Sequence, residues 1–100
     1  MTKIKKYVDE IAEELDDAKK YMEKALEYKA MGNNDRYNGY KIMSTQELEH
    51  STRLHDYAVQ DIEQLRAVYP EIPEKMLDKW QKSHVDFVEK AAWIRQMQAM

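Results

Sequence analysis

The tetrapeptide Gly32-Asn33-Asn34-Asp35 separates two long amphipathic segments and decides how the chain folds. Glycine readily adopts the left-handed conformation that ends an α-helix, and asparagine or aspartate can cap the start of the next helix. We therefore expect one helix to end beside Gly32 and a second to begin a few residues later, capped by Asn34 or Asp35. A connection this short favours an antiparallel hairpin.

A second interruption, Pro70-Glu71-Ile72-Pro73, divides the rest of the chain. The two interruptions predict three helices, near residues 3–31, 35–69 and 73–98. Asn38-Gly39 is the weak point, because this pair could extend the first turn and delay the second helix to Tyr40. The expected fold is all-α: an antiparallel three-helix bundle in up-down-up order that forms one domain over residues 1–100.

Composition excludes several classes of protein. A chain of 100 residues can bury one small core, and 35% charged residues with only two glycines and two prolines are typical of long, exposed helices. The net charge of -3 comes from interspersed acidic and basic residues, so no basic block favours nucleic acid. The absence of cysteine fits a reducing compartment, and no stretch resembles a signal peptide or a membrane span. We expect a soluble, cytoplasmic protein.

The first segment carries an apolar stripe in which one position is acidic. Two of its seven-residue rows are apolar: Ile4, Ile11, Ala18 and Ala25, and beside them Val8, Leu15 and Met22. The third row consists of Tyr7, Glu14, Tyr21 and Tyr28. Glu14 therefore occupies a position that tyrosine fills elsewhere in the row.

The second segment carries an acid and a histidine at comparable positions. Its two rows are Tyr40, Glu47, Leu54, Asp61 and Val68, and Met43, His50, Tyr57 and Gln64. We assign both rows to the inner face, where Glu47 and His50 are neighbours one turn apart, and Glu49 to solvent. Leu48, Ala58, Ile62 and Leu65 widen this face to one side, which suggests that the helix contacts more than one neighbour. An ionised carboxylate inside a bundle is unfavourable unless it is paired, hydrogen-bonded or bound to a cation.

The hairpin should bring these side chains together. Glu14 and His50 are equally far from Gly32 along the sequence, and Glu47 lies within about one turn of the same height. At that height the third helix offers only alanine, tryptophan and arginine side chains, none of them a good metal ligand. One chain therefore supplies about half of a typical two-metal carboxylate site.

An inward glutamate on one helix and Glu47-Leu48-Glu49-His50 on the next resemble the half-site of the ferritin-like di-iron carboxylate proteins, whose full site uses two such sets in a four-helix bundle. The separation of 33 positions between Glu14 and Glu47 is similar to that in bacterioferritins and rubrerythrins. Tyr21 falls where many of these families keep a tyrosine beside the metals. The resemblance covers residues 3–65, and the chain departs from the full pattern because it lacks a second glutamate and Glu-x-x-His set.

The resemblance implies a short half-bundle like the encapsulated ferritins, completed as a homodimer or a higher homo-oligomer. It implies a dinuclear iron or manganese centre shared between chains, with Glu14, Glu47 and His50 as metal ligands and Tyr21 as the catalytic residue. The activity would be that of an oxidoreductase, of ferroxidase or peroxidase type. Neither nucleic acid nor membrane is expected as a partner.

A metal-free interpretation remains open. Glu14, Glu47 and His50 could form a buried polar cluster in a helical interaction or assembly protein of the kind that phages and mobile elements encode. On the third helix, His84 is the only polar member of the expected inner face, and we expect it to pair with Asp61. His55 is expected at the surface or beneath another helix, and the apolar C-terminal end is expected to contact a partner.

Overall fold

The computed structural model describes residues 2–69, 71 and 73–100, and three α-helices account for nearly all of them. They are α1 (Thr2–Ala30), α2 (Asn34–Val68) and α3 (Glu74–Gln98). The helices pack as the expected three-helix bundle, 56 Å long and 19 by 16 Å across, in which α3 packs more extensively on α1 than on α2. Pro70 and Ile72 of the second predicted interruption lie outside the described residues. Within the described ranges, no helix is long and apolar enough to cross a membrane.

The turn at Gly32 is held by backbone hydrogen bonds. Gly32 has a φ angle of 75°, and its N–H donates to the carbonyl of Lys29 at 3.0 Å. The N–H of Asn33 donates to the carbonyl of Tyr28 at 2.9 Å. This pair of bonds satisfies the last carbonyls of α1 and is the Schellman arrangement that glycine favours. α1 therefore ends where the sequence predicted.

The start of α2 differs slightly from the prediction. The cap is Asn33 rather than Asn34 or Asp35, since α2 begins one residue earlier than expected. The Asn33 side-chain oxygen accepts from the N–H of Arg36 at 3.1 Å. Gly39 lies inside α2, so the turn does not extend to Tyr40.

The apolar stripe of α1 forms half of the core, as its periodicity predicted. Its most buried members follow the helical repeat: Ile4, Ile11, Leu15, Ala18, Met22 and Ala25. Val8, beside them, is half-buried. The row that contains Glu14 is half-buried throughout and borders this core: Tyr7, Glu14, Tyr21 and Tyr28. Burying the apolar stripe removes it from water, which is the main favourable term in folding.

The inner face predicted for α2 was wrong for one of its rows and confirmed for the residues that widen it, since Leu48, Ala58 and Ile62 are buried and Leu65 is half-buried. The row through Met43, His50, Tyr57 and Gln64 is exposed, and the buried row lies one residue later: Ser44, Leu48, Ser51, His55, Ala58 and Ile62. The serines can be buried because their hydroxyls are satisfied. Ser44 Oγ donates to the carbonyl of Ala18 at 2.7 Å, and Ser51 Oγ donates to the carbonyl of Leu48 at 2.8 Å. Small side chains at these positions let α1 and α2 approach closely.

The third helix contributes five apolar side chains to the described core. Trp80, Phe87 and three residues of the apolar C-terminal end are in the core: Ala91, Ile94 and Met97. These three are covered by this chain itself, whereas Trp93 and Met100 of the same end are exposed. Val88 is also exposed.

The two glycines provide a matched test of this fold. A Cβ added at either one meets no atom within 4 Å, so alanine at each position changes only backbone energetics. Gly32→Ala should lower the free energy of unfolding by about 1–2 kcal/mol, because its φ angle is left-handed. Gly39→Ala should raise it by about 0.5–1 kcal/mol, because alanine is favoured inside a helix. Urea unfolding followed by circular dichroism measures both, and equal effects of the same sign would contradict the described turn.

Candidate metal centre

Three potential metal ligands meet where α1 and α2 run side by side. Glu14 projects from α1, and Glu47 and His50 project from α2 one turn apart. His50 Nδ1 lies 3.7 Å from Glu14 Oε2 and 4.0 Å from Glu47 Oε2. One donor atom from each residue lies within 4.8 Å of the other two. The convergence expected from the hairpin register is therefore present in the structure.

The three side chains lie at the edge of the hairpin and not in its core. The Glu14 and Glu47 side chains are 29% and 23% exposed, and that of His50 is 56% exposed. The expectation that all three face the interior was thus wrong for His50 and only partly right for the acids. The cause is the rotation of α2, since Ser44 and Ser51 occupy the row that packs on α1. The cluster opens towards the side of the hairpin that α3 does not cover.

One atom of the cluster lacks a hydrogen bond. Glu14 Oε2 is closed to solvent, and within the described part of the chain it has no hydrogen-bond partner. Its separation of 3.7 Å from His50 Nδ1 is too long for a hydrogen bond. A buried carboxylate oxygen in this state is unfavourable, and a bound cation would compensate for it.

The geometry of the donors fits a single ion after small side-chain movements. Carboxylate oxygens and imidazole nitrogens bind first-row metal ions at about 2.0–2.2 Å, so two ligands of one ion are at most about 4.4 Å apart. The separations of 3.7 and 4.0 Å already satisfy this limit. Two carboxylates and one imidazole fill only part of a coordination sphere, and the exposed side of His50 leaves room for further ligands from outside the chain.

The predicted catalytic residue Tyr21 lies along α1 from these ligands. It is half-buried and seven positions beyond Glu14, which corresponds to about 10 Å along the helix axis. Its ring lies 6.3 Å from that of Tyr40, and Tyr40 in turn stacks on Tyr28 with a centroid separation of 5.6 Å. Tyr21 therefore belongs to a tyrosine cluster at the turn end of the hairpin, and its catalytic role stays a prediction.

A second polar cluster, which periodicity did not reveal, joins α2 to α3. His55 Nε2 and His84 Nδ1 are 2.8 Å apart, so one imidazole donates a hydrogen bond and the other accepts it. The His55 ring stacks on Phe87 at 4.3 Å and on Trp80 at 5.3 Å. His55 is buried, which confirms the alternative that placed it beneath another helix. The described contacts of His84 are with His55 and Trp80, and its pairing with Asp61 stays a prediction.

Burial changes the acid-base chemistry of this pair. Desolvation lowers the pKa of His55 below its ordinary value of 6.5, and the neighbouring His84 lowers the pKa further, while Asp56 acts in the opposite direction. The neutral form of the His55 ring is therefore favoured in the folded chain. With only two nitrogen ligands in direct contact with each other, the pair is better suited to joining helices than to holding a metal.

No protein-family model, curated protein or solved structure matches this chain.

The His55 pair predicts a pH dependence of stability. The unfolded chain binds the His55 proton near pH 6.5, and the folded chain binds it only at lower pH. The free energy of unfolding should therefore decrease as the pH falls below 6.5 and level off below the lowered folded pKa. Urea unfolding at a series of pH values between about 7 and 4 measures this slope. His55→Gln should remove part of the slope, and an unchanged slope in that variant would assign it to other groups.

Proposed function

We propose that this chain is a ferritin-like metal-binding protein that holds iron or manganese with Glu14, Glu47 and His50. The observation that carries the proposal is the convergence of these three donors beside a buried carboxylate oxygen that has no hydrogen bond among the described residues. His50 Nδ1 lies 3.7 Å from that oxygen, within ion-pair range but beyond the length of a hydrogen bond. A cation accounts for it and for the geometry of the other two side chains.

The ligand set favours particular metals. Carboxylates are hard anionic donors that can bridge two ions, and neutral imidazole is a good ligand for iron, manganese and zinc. Magnesium is a poorer candidate because it rarely takes imidazole and retains several waters. Divalent iron held this way would supply electrons for the reduction of dioxygen or peroxide. Zinc has the higher intrinsic affinity for most nitrogen and oxygen sites, so it belongs in any comparison of metals.

The proposed centre needs a second copy of the chain. The exposed row of α2 places Met43 and Tyr57 one heptad on either side of His50, and these side chains are 38% and 47% exposed. A two-fold axis beside this row would cover both apolar side chains and face two sets of ligands towards each other. The assembly would then contain four carboxylates and two histidines, as in a complete two-metal site. The row that was expected inside one chain would lie inside the dimer.

The proposed activity is of ferroxidase or peroxidase type, and Tyr21 is its proposed catalytic residue. At about two turns from Glu14, its hydroxyl would act through a neighbouring group or in electron transfer, and not as a direct ligand. The stacked ring of Tyr40 would extend any such path towards Tyr28.

A metal-free assembly protein is the second candidate. Several large apolar side chains are exposed on α2 and α3, among them Ile42, Val85, Val88 and Trp93. Exposed apolar residues on two helices favour contact with other chains, whether or not a metal is present. On this hypothesis the Glu14 cluster only fixes helix register, and no metal should bind it.

Metal binding decides between the two candidates. Protein purified without a chelating tag and reconstituted anaerobically with Fe(II), Mn(II) or Zn(II) should retain about one metal or more per two chains by elemental analysis. Saturating metal should also raise the free energy of unfolding, by about 2.7 kcal/mol at one hundred times the Kd. Glu47→Ala and His50→Ala should each weaken binding more than about tenfold, because each removes a ligand.

Glu49→Ala is the matched control, since Glu49 lies on the same helix between the two ligands and is exposed. It should leave both the metal content and the helicity unchanged. Metal content that is equally low in the parent protein and in all three variants would overturn the metal proposal. If Glu47→Ala and His50→Ala also stabilised the protein, the structural cluster would be the better explanation.

The shared centre predicts a change of assembly. Tyr57→Arg places a charge in the row that a partner chain would cover, so it should shift the dimer towards monomer and lower metal retention together. Light scattering coupled to gel filtration gives the mass, and elemental analysis gives the metal content of each peak. Gln60→Arg, on an exposed position of the same helix outside that row, is the control. A strictly monomeric parent protein that binds two metals per chain would contradict the shared site.

A further inference from the structure

A long apolar groove lies between the first half of α1 and the outer side of α3. Its cavity volume is about 740 Å³, which is in the range of binding sites rather than packing defects. Its floor exposes parts of Val8, Ala12 and Met76, which lie above the buried side chains of Ile4, Ile11, Leu15 and Phe87. The metal ligands lie on another side of the hairpin, so the groove is independent of the proposed centre.

The rim of the groove is basic although the chain as a whole is acidic. Five lysines line it: Lys5, Lys75, Lys79, Lys82 and Lys90. The acidic residues that line it are Asp9 and Asp86, whereas the whole chain has a net charge of -3. Local positive charge above an apolar floor favours a ligand that is both apolar and anionic.

The spacing of the charges indicates the shape of that ligand. Lys75, Lys79, Lys82 and Lys90 follow one stripe of α3 over about 22 Å, and Asp86 interrupts it. A fatty acid carries its single charge at one end and would use only one part of the stripe. An amphipathic helix with acidic residues along both sides of its apolar face would use the whole length. The floor positions of α1 repeat every three or four residues, which is the pattern that accepts another helix.

We propose that this groove binds an acidic amphipathic helix of a partner protein. The helix would lay its apolar stripe between α1 and α3, and its aspartate and glutamate side chains would face the lysines. The most acidic segment of this chain, residues 9–17, is not available to fill the groove of a second copy. Its apolar side chains Ile11 and Leu15 are already buried in the core and line the groove themselves.

Two synthetic peptides of about 18 residues, or five helical turns, provide the probe. Both carry leucine at the same helical spacing, and one has glutamate where the other has lysine. Fluorescence anisotropy with the full-length chain should give an affinity for the glutamate peptide at least about tenfold higher at low salt. The difference should shrink as salt is added, because exposed charges are screened.

Variants of the stripe test the charges directly. Lys79→Glu combined with Lys82→Glu should weaken binding of the glutamate peptide by about tenfold or more, and Asp86→Lys should strengthen it. Lys20→Glu combined with Lys24→Glu makes the same change in net charge on exposed positions outside the groove, and it should have little effect. All of these side chains are at the surface, so the variants should fold; circular dichroism checks this.

Three results would overturn the proposal. The first is equal binding of the two peptides, or an equal loss of affinity in the two double variants. The second is that the parent chain binds palmitate stoichiometrically but does not bind the glutamate peptide, and that Lys79→Glu combined with Lys82→Glu abolishes the palmitate binding. The third is self-association of the parent chain that the same double variant abolishes, which would assign the groove to a second copy.

Discussion

The register between α1 and α2, set at Gly32, is the constraint on which the rest of the structure depends. Two consecutive residues define it: Gly32 ends α1 in the left-handed conformation, and Asn33 both donates to the carbonyl of Tyr28 and caps α2. One additional residue in this turn would rotate α2 by about 100° relative to α1. Such a rotation would separate Glu47 and His50 from Glu14 and move Ser44 away from the carbonyl of Ala18. The core and the candidate centre therefore depend on the same few hydrogen bonds.

The sequence was sufficient to predict the helices, the hairpin and the common position of the candidate ligands along the bundle axis. Glycine and asparagine mark the turn, and the apolar rows of α1 mark its buried side. It predicted only part of the buried side of α2: the apolar Leu48, Ala58 and Ile62, but not the polar side chains beside them. The buried row contains Ser44, Ser51 and His55, and none of these looks apolar in a periodic pattern. Each is accommodated by a specific partner: the carbonyls of Ala18 and Leu48 for the serines, and His84 for the histidine. The Ala18 and His84 partners depend on the tertiary structure, whereas the Leu48 carbonyl is local to α2, and none of the three leaves a periodic signal.

The rotation of α2 also changes the argument for the metal centre. Fully buried carboxylates would have required compensation, whereas Glu47 and His50 at the edge of the hairpin can be hydrated. The physical case therefore rests on Glu14 Oε2 and on the convergence of three donors, and less on burial of the whole cluster. The same rotation leaves the row of Met43, His50 and Tyr57 uncovered, which strengthens the reason to expect a second chain on this side.

The two proposed sites can operate independently because of how α3 is attached. Its contacts with α2 combine ring stacking on His55 with two specific hydrogen bonds, one between His84 and His55 and one from the Gln98 side chain to Ser44 Oγ at 3.1 Å. Its other side forms one wall of the groove, and all three candidate metal ligands lie on α1 and α2. A helix bound in the groove would therefore contact only α3 and the outer side of α1. The Gly32 turn would still hold α1 in register with α2. Coupling between the groove and the metal ligands would require that register to change, and the packed serine row opposes such a change.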